Sequence, residues 1–235
     1  MKVGVIQSCY IPWRGYFDFI ASVDLFVLYD DVQYSSGSWR NRNKLKLAGG
    51  TRWMTVPVRF AFGAHIDEVM IGQTTRGSWQ EEHRAMLTAS LGGAPYFADA
   101  MNLWESGTTG EILLLSSLNE KLIREICRYL DITTTIVRSS DYEISGAKTN
   151  RLISLLSKLG ATTYVSGPAA KRYLDARQFR EAGVRLEYKR YAYRPYPQQW
   201  KSFEDGVTVL DLVANVGTAA RQYIECLEPN EIAVA

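Results

Sequence analysis

Short apolar runs alternate with longer amphipathic segments along most of this 235-residue chain, and this alternation constrains its fold more than any other feature. KVGVI at residues 2–6 and DLFVLYD at residues 24–30 are typical of strands buried on both faces of a parallel sheet. Residues 15–22 and 148–159 follow strand-like runs and have the spacing of helices. The pattern predicts an α/β fold, with a mostly parallel sheet and helices on both of its faces.

The remaining elements extend this pattern to the end of the chain. Further strands are predicted at residues 52–58, 66–71, 133–141, 162–168 and 184–193, and further helices at residues 79–91, 109–131 and 207–217. The long helices within residues 79–130 are expected to form a helical layer of their own. We expect residues 1–227 to form a single α/β domain and residues 228–235 to be a disordered tail.

Composition excludes several classes of protein. No apolar run approaches the ~18 residues of a membrane span, and we expect no signal peptide, because the first residues have the pattern of a strand with one Lys. Cys9, Cys127 and Cys226 have no paired spacing, so we expect no disulfide framework and a cytoplasmic location. Only His65 and His83 are present, which excludes a His-rich metal site and gives no support to a catalytic triad. P-loop and dinucleotide motifs are absent, and the sequence leaves any cofactor unidentified.

Three loops that leave predicted strands carry polar residues that a simple connection would not need: residues 7–16, 29–46 and 164–175. In an open parallel sheet, ligands bind beyond the carboxyl ends of the strands. If the three loops are neighbours, they line one crevice suited to a polar, anionic ligand. The candidate residues are Gln7, Cys9, Tyr10, Trp13, Asp30, Asp31, Gln33, Asn41, Arg42, Lys44, Ser166 and Lys171.

These loops also carry a family resemblance. QSCYIPWRGYFDFI, DLFVLYDDVQYSSGSWRNRNKL, TVPV, YVSGPAAKRYLD and VTVLDLVANVG resemble, in order, the signatures of the WbqC-like family. That family is named after a gene of bacterial O-antigen clusters, and its members also occur near sugar-nucleotide and natural-product genes. The matching residues are Gln7, Tyr10, Pro12, Trp13, Gly15, Tyr16, Asp30, Gln33, Tyr34, Asn41 and Arg42. Ser8 and Cys9 depart from the family pattern, which has Pro followed by Ser or Thr.

A second resemblance concerns architecture. IPWRGYFDFI is similar in layout to the P-H-x-G-H strand–loop–helix of the nucleotidylyl transferases, with Trp13 and Tyr16 in place of the two histidines. In that superfamily the histidines face phosphates at a helix N-terminus. The resemblance implies a Rossmann-like fold, whereas Trp and Tyr cannot supply the positive charge of imidazolium.

Several candidate residues have two readings. Trp13 and Tyr16 either stack on a ligand or belong to the core. Cys9 is either a small buried hydrophobe or a nucleophile near a helix N-terminus, and we expect the former. Successive strand residues point in opposite directions, so only one of Asp30 and Asp31 can easily enter the crevice. The family resemblance favours Asp30.

RNRNKLK, residues 40–46, holds four cations in seven positions. It is either a solvated hairpin or an anion clamp in which Arg42, with Asn41, grips a phosphate. Under the second reading Arg42 binds the anionic end of a donor, and Arg40, which lies outside the matched motif, matters little.

Together these features favour a transferase that joins a group from an activated donor to a small polar acceptor, such as an amino sugar, in surface-polysaccharide or specialised-metabolite biosynthesis. Arg42, Lys44 and the N-terminus of the first helix would hold the anionic part of the donor, and Asp30 would deprotonate or orient the acceptor. Gln7 and Asn41 would fix polar groups, and Tyr10 and Trp13 would stack. One alternative is acyl or aminoacyl transfer through Cys9 from a carrier-bound or aminoacyl donor. Another is a non-catalytic sugar-nucleotide binding module. The net charge of +2 gives no reason to expect nucleic acid as a partner, a charged tRNA excepted.

Overall fold

The computed structural model describes residues 1–74 and 77–233. The strands are β1 Lys2–Ile6, β2 Leu25–Leu28, β3 Arg42–Leu47, β4 Gly50–Thr55, β5 Val58–Arg59, β6 Met70–Ile71, β7 Thr135–Arg138, β8 Thr163–Ser166, β9 Arg185–Tyr188 and β10 Glu231–Ile232. The helices are α1 Arg14–Ala21, α2 Trp79–Leu91, α3 Phe97–Thr108, α4 Leu115–Tyr129, α5 Lys148–Lys158, α6 Ala176–Glu181, α7 Val209–Val216 and α8 Ala220–Tyr223.

Six strands form the central sheet in the order β10-β9-β8-β1-β2-β7. The five strands from β9 to β7 are parallel, and only the edge strand β10 is antiparallel. The predicted mostly parallel α/β sheet is therefore confirmed. In the part of the chain that the structure describes, no helix has the length and apolar character needed to cross a bilayer.

The strand order reverses at β1. From β1 the chain moves outward through β2 to β7, and then returns to place β8 and β9 on the other side of β1. Because crossovers between parallel strands are right-handed, the reversal puts α1 and α4 on one face of the sheet and α5 and α6 on the other. Two separate clusters of buried side chains reflect this arrangement, one containing Phe19 and Ile123 and the other Leu155 and Phe179. The layout is Rossmann-like, with a crevice at the carboxyl ends of β1 and β8.

The predicted helical layer contains one helix more than the sequence pattern indicated. The segment predicted as a helix from residue 109 begins only at Leu115, and α3 precedes it. Helices α2, α3 and α7 share one continuous core with α1 and α4, in which Trp104 is fully buried. The layer therefore packs on the α1 face of the sheet.

Two hairpins, β3–β4 and β5–β6, lie outside the central sheet. The segment predicted as one strand at residues 52–58 is divided between β4 and β5, because Pro57 between them has no N–H to donate to a ladder. The segment 66–71 forms a 3₁₀ turn at Ile66–Glu68 before the short strand β6. In the tail expected to be disordered, residues 231–232 pair with β9, whereas residues 234–235 lie outside the described residues.

Gly4 allows α1 to approach the sheet. An ideal Cβ built on Gly4 would lie 2.3 Å from Cε1 of Phe19, which is fully buried and cannot turn away. We predict that Gly4→Ala lowers the free energy of unfolding by roughly 1–3 kcal/mol, the usual cost of overpacking. Denaturant titration checks this, and the double variant Gly4→Ala/Phe19→Leu should recover part of the loss. An unchanged midpoint for Gly4→Ala would contradict this account of the packing.

Candidate functional site

A cavity of about 720 Å³ opens at the carboxyl ends of β1 and β8, where the strand order reverses. Gln7, Ser166 and Gly167 line it from the ends of these strands, and Tyr29 from the end of β2. The first turn of α5 forms another wall, with Lys148, Thr149 and Arg151. The position is the one where ligands bind in open α/β sheets, and we call it the switch-point cavity.

The N-terminus of α5 gives this cavity an electropositive wall. Its N-cap residue, Ala147, offers no side-chain acceptor, and its first turn has no acidic residue. The free N–H groups and the helix dipole therefore favour an anion, and Lys148 adds positive charge, whereas the charge of Arg151 is paired with Asp31. Lys148 and Arg151 were not among the predicted site residues, although a signal existed: GAKTNR follows a predicted strand and opens a predicted helix.

Asp30 and Asp31 point to opposite faces of the sheet. Asp31 forms a salt bridge with Arg151 and accepts a hydrogen bond from the Ser139 hydroxyl, so it belongs to the α5 side. Asp30 accepts a hydrogen bond of 2.8 Å from the Ser8 backbone N–H, on the other side. β1 and β2 are adjacent and parallel as expected, but Asp30 does not line the switch-point cavity with Gln7. Strand alternation separates the two side chains.

Burial makes Asp30 an unusual carboxyl group. It is only 7% exposed, and desolvation raises its pKa to about 6, although the Ser8 hydrogen bonds and the nearby Arg40 charge oppose the shift. Asp30 therefore exchanges its proton close to neutral pH, as a general base requires.

Arg40 fixes the loop that follows β1. Its Nη1 donates to the carbonyl oxygens of Gln7 and Ser8, at 3.0 and 3.2 Å, and lies 3.0 Å from the Cys9 sulfur. From α4, Asn119 donates to the Ser8 hydroxyl and to the Arg40 carbonyl. Arg40 was predicted to matter little for donor binding, and that remains a prediction, but its contacts show that it holds the opening loop in place. Nothing local in RNRNKLK indicates contacts with a loop more than thirty residues away.

Cys9 is 7% exposed, and burial raises the pKa of its thiol even though the positive charge of Arg40 acts in the opposite direction. The neutral thiol is therefore the form that the fold favours, and a thiolate nucleophile is not.

Tyr10 is fully buried and its hydroxyl is used within the protein. Trp104 Nε1 donates to it at 2.9 Å, and the hydroxyl lies 2.9 Å from Nδ1 of His83, whose Nε2 faces the Thr55 carbonyl at 3.1 Å. Burial lowers the pKa of His83 to about 4, so the ring is neutral: Nε2–H donates to Thr55 and Nδ1 accepts from Tyr10. Tyr10 thus joins the opening loop to α2 and α3, and its ring has no face free for stacking.

Trp13 and Tyr16 line a second cavity, of about 330 Å³, on the other side of the opening loop. Cys9, Pro12, Trp39 and Asn43 complete most of its wall, and we call it the aromatic cavity. The Tyr16 hydroxyl donates to the Gln7 carbonyl at 3.2 Å. The Trp13 ring lies against Gly15, where a Cβ would come within 2.4 Å of it, and contacts Tyr191. Both aromatic residues are therefore packed while still bordering a cavity.

Most of the basic stretch forms β3. Side chains of a strand alternate between its two faces, so the residues of the expected anion clamp lie on opposite sides. Asn41 is buried and donates to the Val56 carbonyl, whereas Arg42 lies on the opposite, half-exposed side of the strand with Lys44. The guanidinium of Arg42 is 4.2 Å from the centroid of the Trp53 ring. Asn41 and Arg42 therefore cannot grip the same phosphate.

The remaining predicted residues are dispersed. Gln33 is exposed and bridges His65 through the backbone. Ser166 lines the switch-point cavity, and its hydroxyl accepts a hydrogen bond of 3.2 Å from Tyr164. Lys171 is exposed, pairs with Glu231 and lines neither cavity. The single crevice expected from the sequence is thus two cavities, one on each side of the loop Gln7–Cys9.

Comparison with known proteins settles the family. Residues 7–223 match the WbqC-like protein family. The chain belongs to this family. It is 43% identical over 232 residues to a protein of Mycobacterium tuberculosis (strain ATCC 25618 / H37Rv) that carries the name "Uncharacterized protein Rv1507c", covering 95% of this chain and 97% of that protein. No solved structure matches the chain significantly.

The raised pKa of Asp30 predicts a dependence of stability on pH. The folded protein takes up this proton near pH 6 and the unfolded chain only near 3.8, so Asp30 contributes stability at acidic pH that is lost as the pH rises through 6. We expect Asp30→Asn to become more stable relative to the wild type between pH 4 and pH 7, by up to ~3 kcal/mol. Urea unfolding across this range measures the difference. A difference that does not change with pH would contradict the assignment.

The burial of Cys9 predicts its reactivity. We expect iodoacetamide at neutral pH to label the half-buried Cys226 before Cys9 and Cys127, which are both buried. Cys9→Ala should cost about 1 kcal/mol of stability without loss of function. Mass spectrometry of peptides after timed labelling gives the order, and labelling of Cys9 first would restore it as a candidate nucleophile.

Proposed function

We propose that this chain is a transferase that binds the anionic part of an activated donor in the switch-point cavity and passes a group to a small polar acceptor. The observation that carries the proposal is the coincidence of this cavity with the uncapped, cationic start of α5. The surface-polysaccharide or specialised-metabolite setting rests on the family resemblance alone.

The chemistry of the cavity supports an anionic donor of moderate size. Its volume of about 720 Å³ lies within the range of small-molecule sites. Tyr29 and Tyr173 supply aromatic walls, and the Gly167 position leaves the backbone open to a ligand. A nucleotide or sugar nucleotide combines the phosphate charge and the ring that such a wall accommodates.

Asp30 is the proposed proton acceptor for the acceptor's amine or hydroxyl group. Its pKa of about 6 makes it ionised at neutral pH while it remains basic enough to take a proton. It accepts a hydrogen bond from the Ser8 N–H and lines neither cavity, so the proton would have to pass through the Ser8 segment that follows Gln7.

The alternative functions fare differently. Acyl transfer through Cys9 needs a thiolate, and the burial of Cys9 works against one. A sugar-nucleotide binding module would use the same cavity. Turnover of a bound sugar nucleotide with an amino-sugar acceptor, followed by mass spectrometry, distinguishes the transferase from the binding module.

The donor site is tested by filling the cavity. Gly167 has φ −70° and ψ 153°, and a Cβ there would meet no atom within 4 Å, so Gly167→Leu should fold normally. Its side chain would occupy the space in front of α5. We expect calorimetry with UDP, ADP and UDP-glucose to show binding to the wild type, weakened at least ~10-fold, or ~1.4 kcal/mol, in the variant.

Gly49→Leu is the matched control, because Gly49 also has open space around its Cβ position but lies in the turn between β3 and β4. It should bind like the wild type, and both variants should keep the wild-type melting temperature. The donor-site proposal fails if Gly167→Leu binds these nucleotides as tightly as the control, or if none of them binds the wild type.

A further inference from the structure

One face of the β3–β4 hairpin presents two tryptophans and two cations together. Trp39 and Trp53 are 42% and 38% exposed, and their ring centroids are 4.9 Å apart. The Arg42 guanidinium carbon lies 4.2 Å from the Trp53 centroid. Lys44 Nζ lies 5.3 Å from Trp53 and 5.9 Å from Trp39. We call these four residues the hairpin plate.

The ladder accounts for this grouping. Arg42 and Lys44 are two residues apart on β3 and so share a face, and Lys44 is directly opposite Trp53 in the antiparallel register. The residues between and beyond them face inward: Asn43 donates to the Ile11 carbonyl at 2.7 Å, and Leu45 is buried in the core. The strand is therefore fixed to the protein on one side while it holds the plate outward on the other.

The positive charge of the plate is not neutralised within the protein. Over residues 1–74 and 77–233, neither Arg42 nor Lys44 forms a salt bridge, and Arg42 Nε is buried without a hydrogen-bond partner. Elsewhere the fold does pair its cations, as Glu120 does with Arg124 and Arg138. A guanidinium stacked on an indole keeps its edge free for an oxyanion.

The plate continues into the aromatic cavity, because Trp39 belongs to both. The cavity volume of about 330 Å³ is at the lower end of small-molecule sites and suits one ring. The two indoles are inclined at 53°, so they offer an angled surface instead of parallel plates, which fits a puckered sugar ring better than a planar base. Two cations suit one anionic substituent, whereas a nucleic acid strand needs a longer track of charge.

We infer that the hairpin plate and the aromatic cavity bind a small acidic sugar, with the ring against the tryptophans and its carboxylate or phosphate on Arg42 and Lys44. Its binding is independent of the switch-point cavity; its role as acceptor rests on the proposed function. Gln7 of one cavity and Cys9 of the other are two residues apart, which is at most about 7 Å along the chain, so the two cavities share the wall that this segment forms.

Calorimetry with glucuronate, glucose 6-phosphate, glucose and UMP tests this assignment. In Gly167→Leu, in which the switch-point cavity is blocked, we expect at least one of the two acidic sugars to bind at least ~10-fold more tightly than glucose and UMP, because only an acidic sugar combines the sugar ring with the anionic group that the two cations take. Trp53→Ala and Arg42→Ala should each reduce this binding at least ~10-fold. If only glucuronate or only glucose 6-phosphate binds, the result identifies the anionic group that the site takes.

The controls separate this site from its surroundings. Arg52→Ala removes an exposed cation that is adjacent to Trp53 in the chain. Arg52 pairs with Leu45 in the ladder, so it lies on the opposite face of the hairpin from the plate, and the variant should bind the acidic sugar like the wild type. Gly167→Leu should also leave this binding unchanged while it blocks nucleotides, so the two proposals can fail separately. The inference is overturned if both acidic sugars bind no better than glucose, if Gly167→Leu binds UMP more tightly than the acidic sugars, or if Arg52→Ala weakens binding as much as Arg42→Ala.

Discussion

The parallel pairing of β1 with both β2 and β8 is the constraint on which the rest of the structure depends. It places β1 where the strand order reverses, and the chain that leaves β1 must therefore cross the crevice edge of the sheet. Gly4 in β1 also lets α1 pack closely on the sheet, which fixes where that chain turns back. Both cavities are consequences of this arrangement, one on each side of the loop.

The loop from Gln7 to Cys9 is held by interactions that leave its backbone little freedom. Arg40 donates hydrogen bonds to two of its carbonyl oxygens, and Asp30 accepts a hydrogen bond from the Ser8 N–H. From α4, Asn119 donates a hydrogen bond to the Ser8 hydroxyl. A buried polar group that loses its hydrogen-bond partner destabilises the fold. Removing one member of this network would therefore leave its partners buried without hydrogen bonds and lower the stability of the protein. Because this loop separates the two cavities, the network that holds the loop also keeps the cavities apart.

The sequence was informative where its signals are local. Continuous apolar runs indicated β1 and β2, and the periodicity of residues 79–91 gave α2 with its observed bounds. Strand alternation correctly implied that Asp30 and Asp31 point in opposite directions. That Asp31 is the one on the α5 side is evident only from its pairing with Arg151, which lies 120 residues further along the chain. No spacing within YDDVQ contains that information.

The aromatic residues of the opening motif show a second limit of sequence reasoning. Tyr10, Trp13 and Tyr16 carry the same chemical signal, yet Tyr10 completes a hydrogen-bond chain with Trp104 and His83 while the other two border a cavity. The partners that decide this come from α2 and α3, and α3 was not indicated by the sequence pattern. A motif fixes residue types, whereas the elements packed against it decide which of them remain accessible.

The buried carboxylate links the wall to the proposed chemistry. An ionised Asp30 in this environment costs stability at neutral pH, since its pKa of about 6 lies above that of an exposed carboxyl group. A neutral residue would avoid this cost. Asp30, however, accepts a hydrogen bond from the backbone N–H of Ser8, the residue between Gln7 and Cys9, and so helps to hold this loop. Asp30 lines neither cavity, so under the proposed function the acceptor's proton would have to reach this carboxylate through the Ser8 segment. The residue that anchors the loop is therefore also the one that couples the loop to the proposed chemistry.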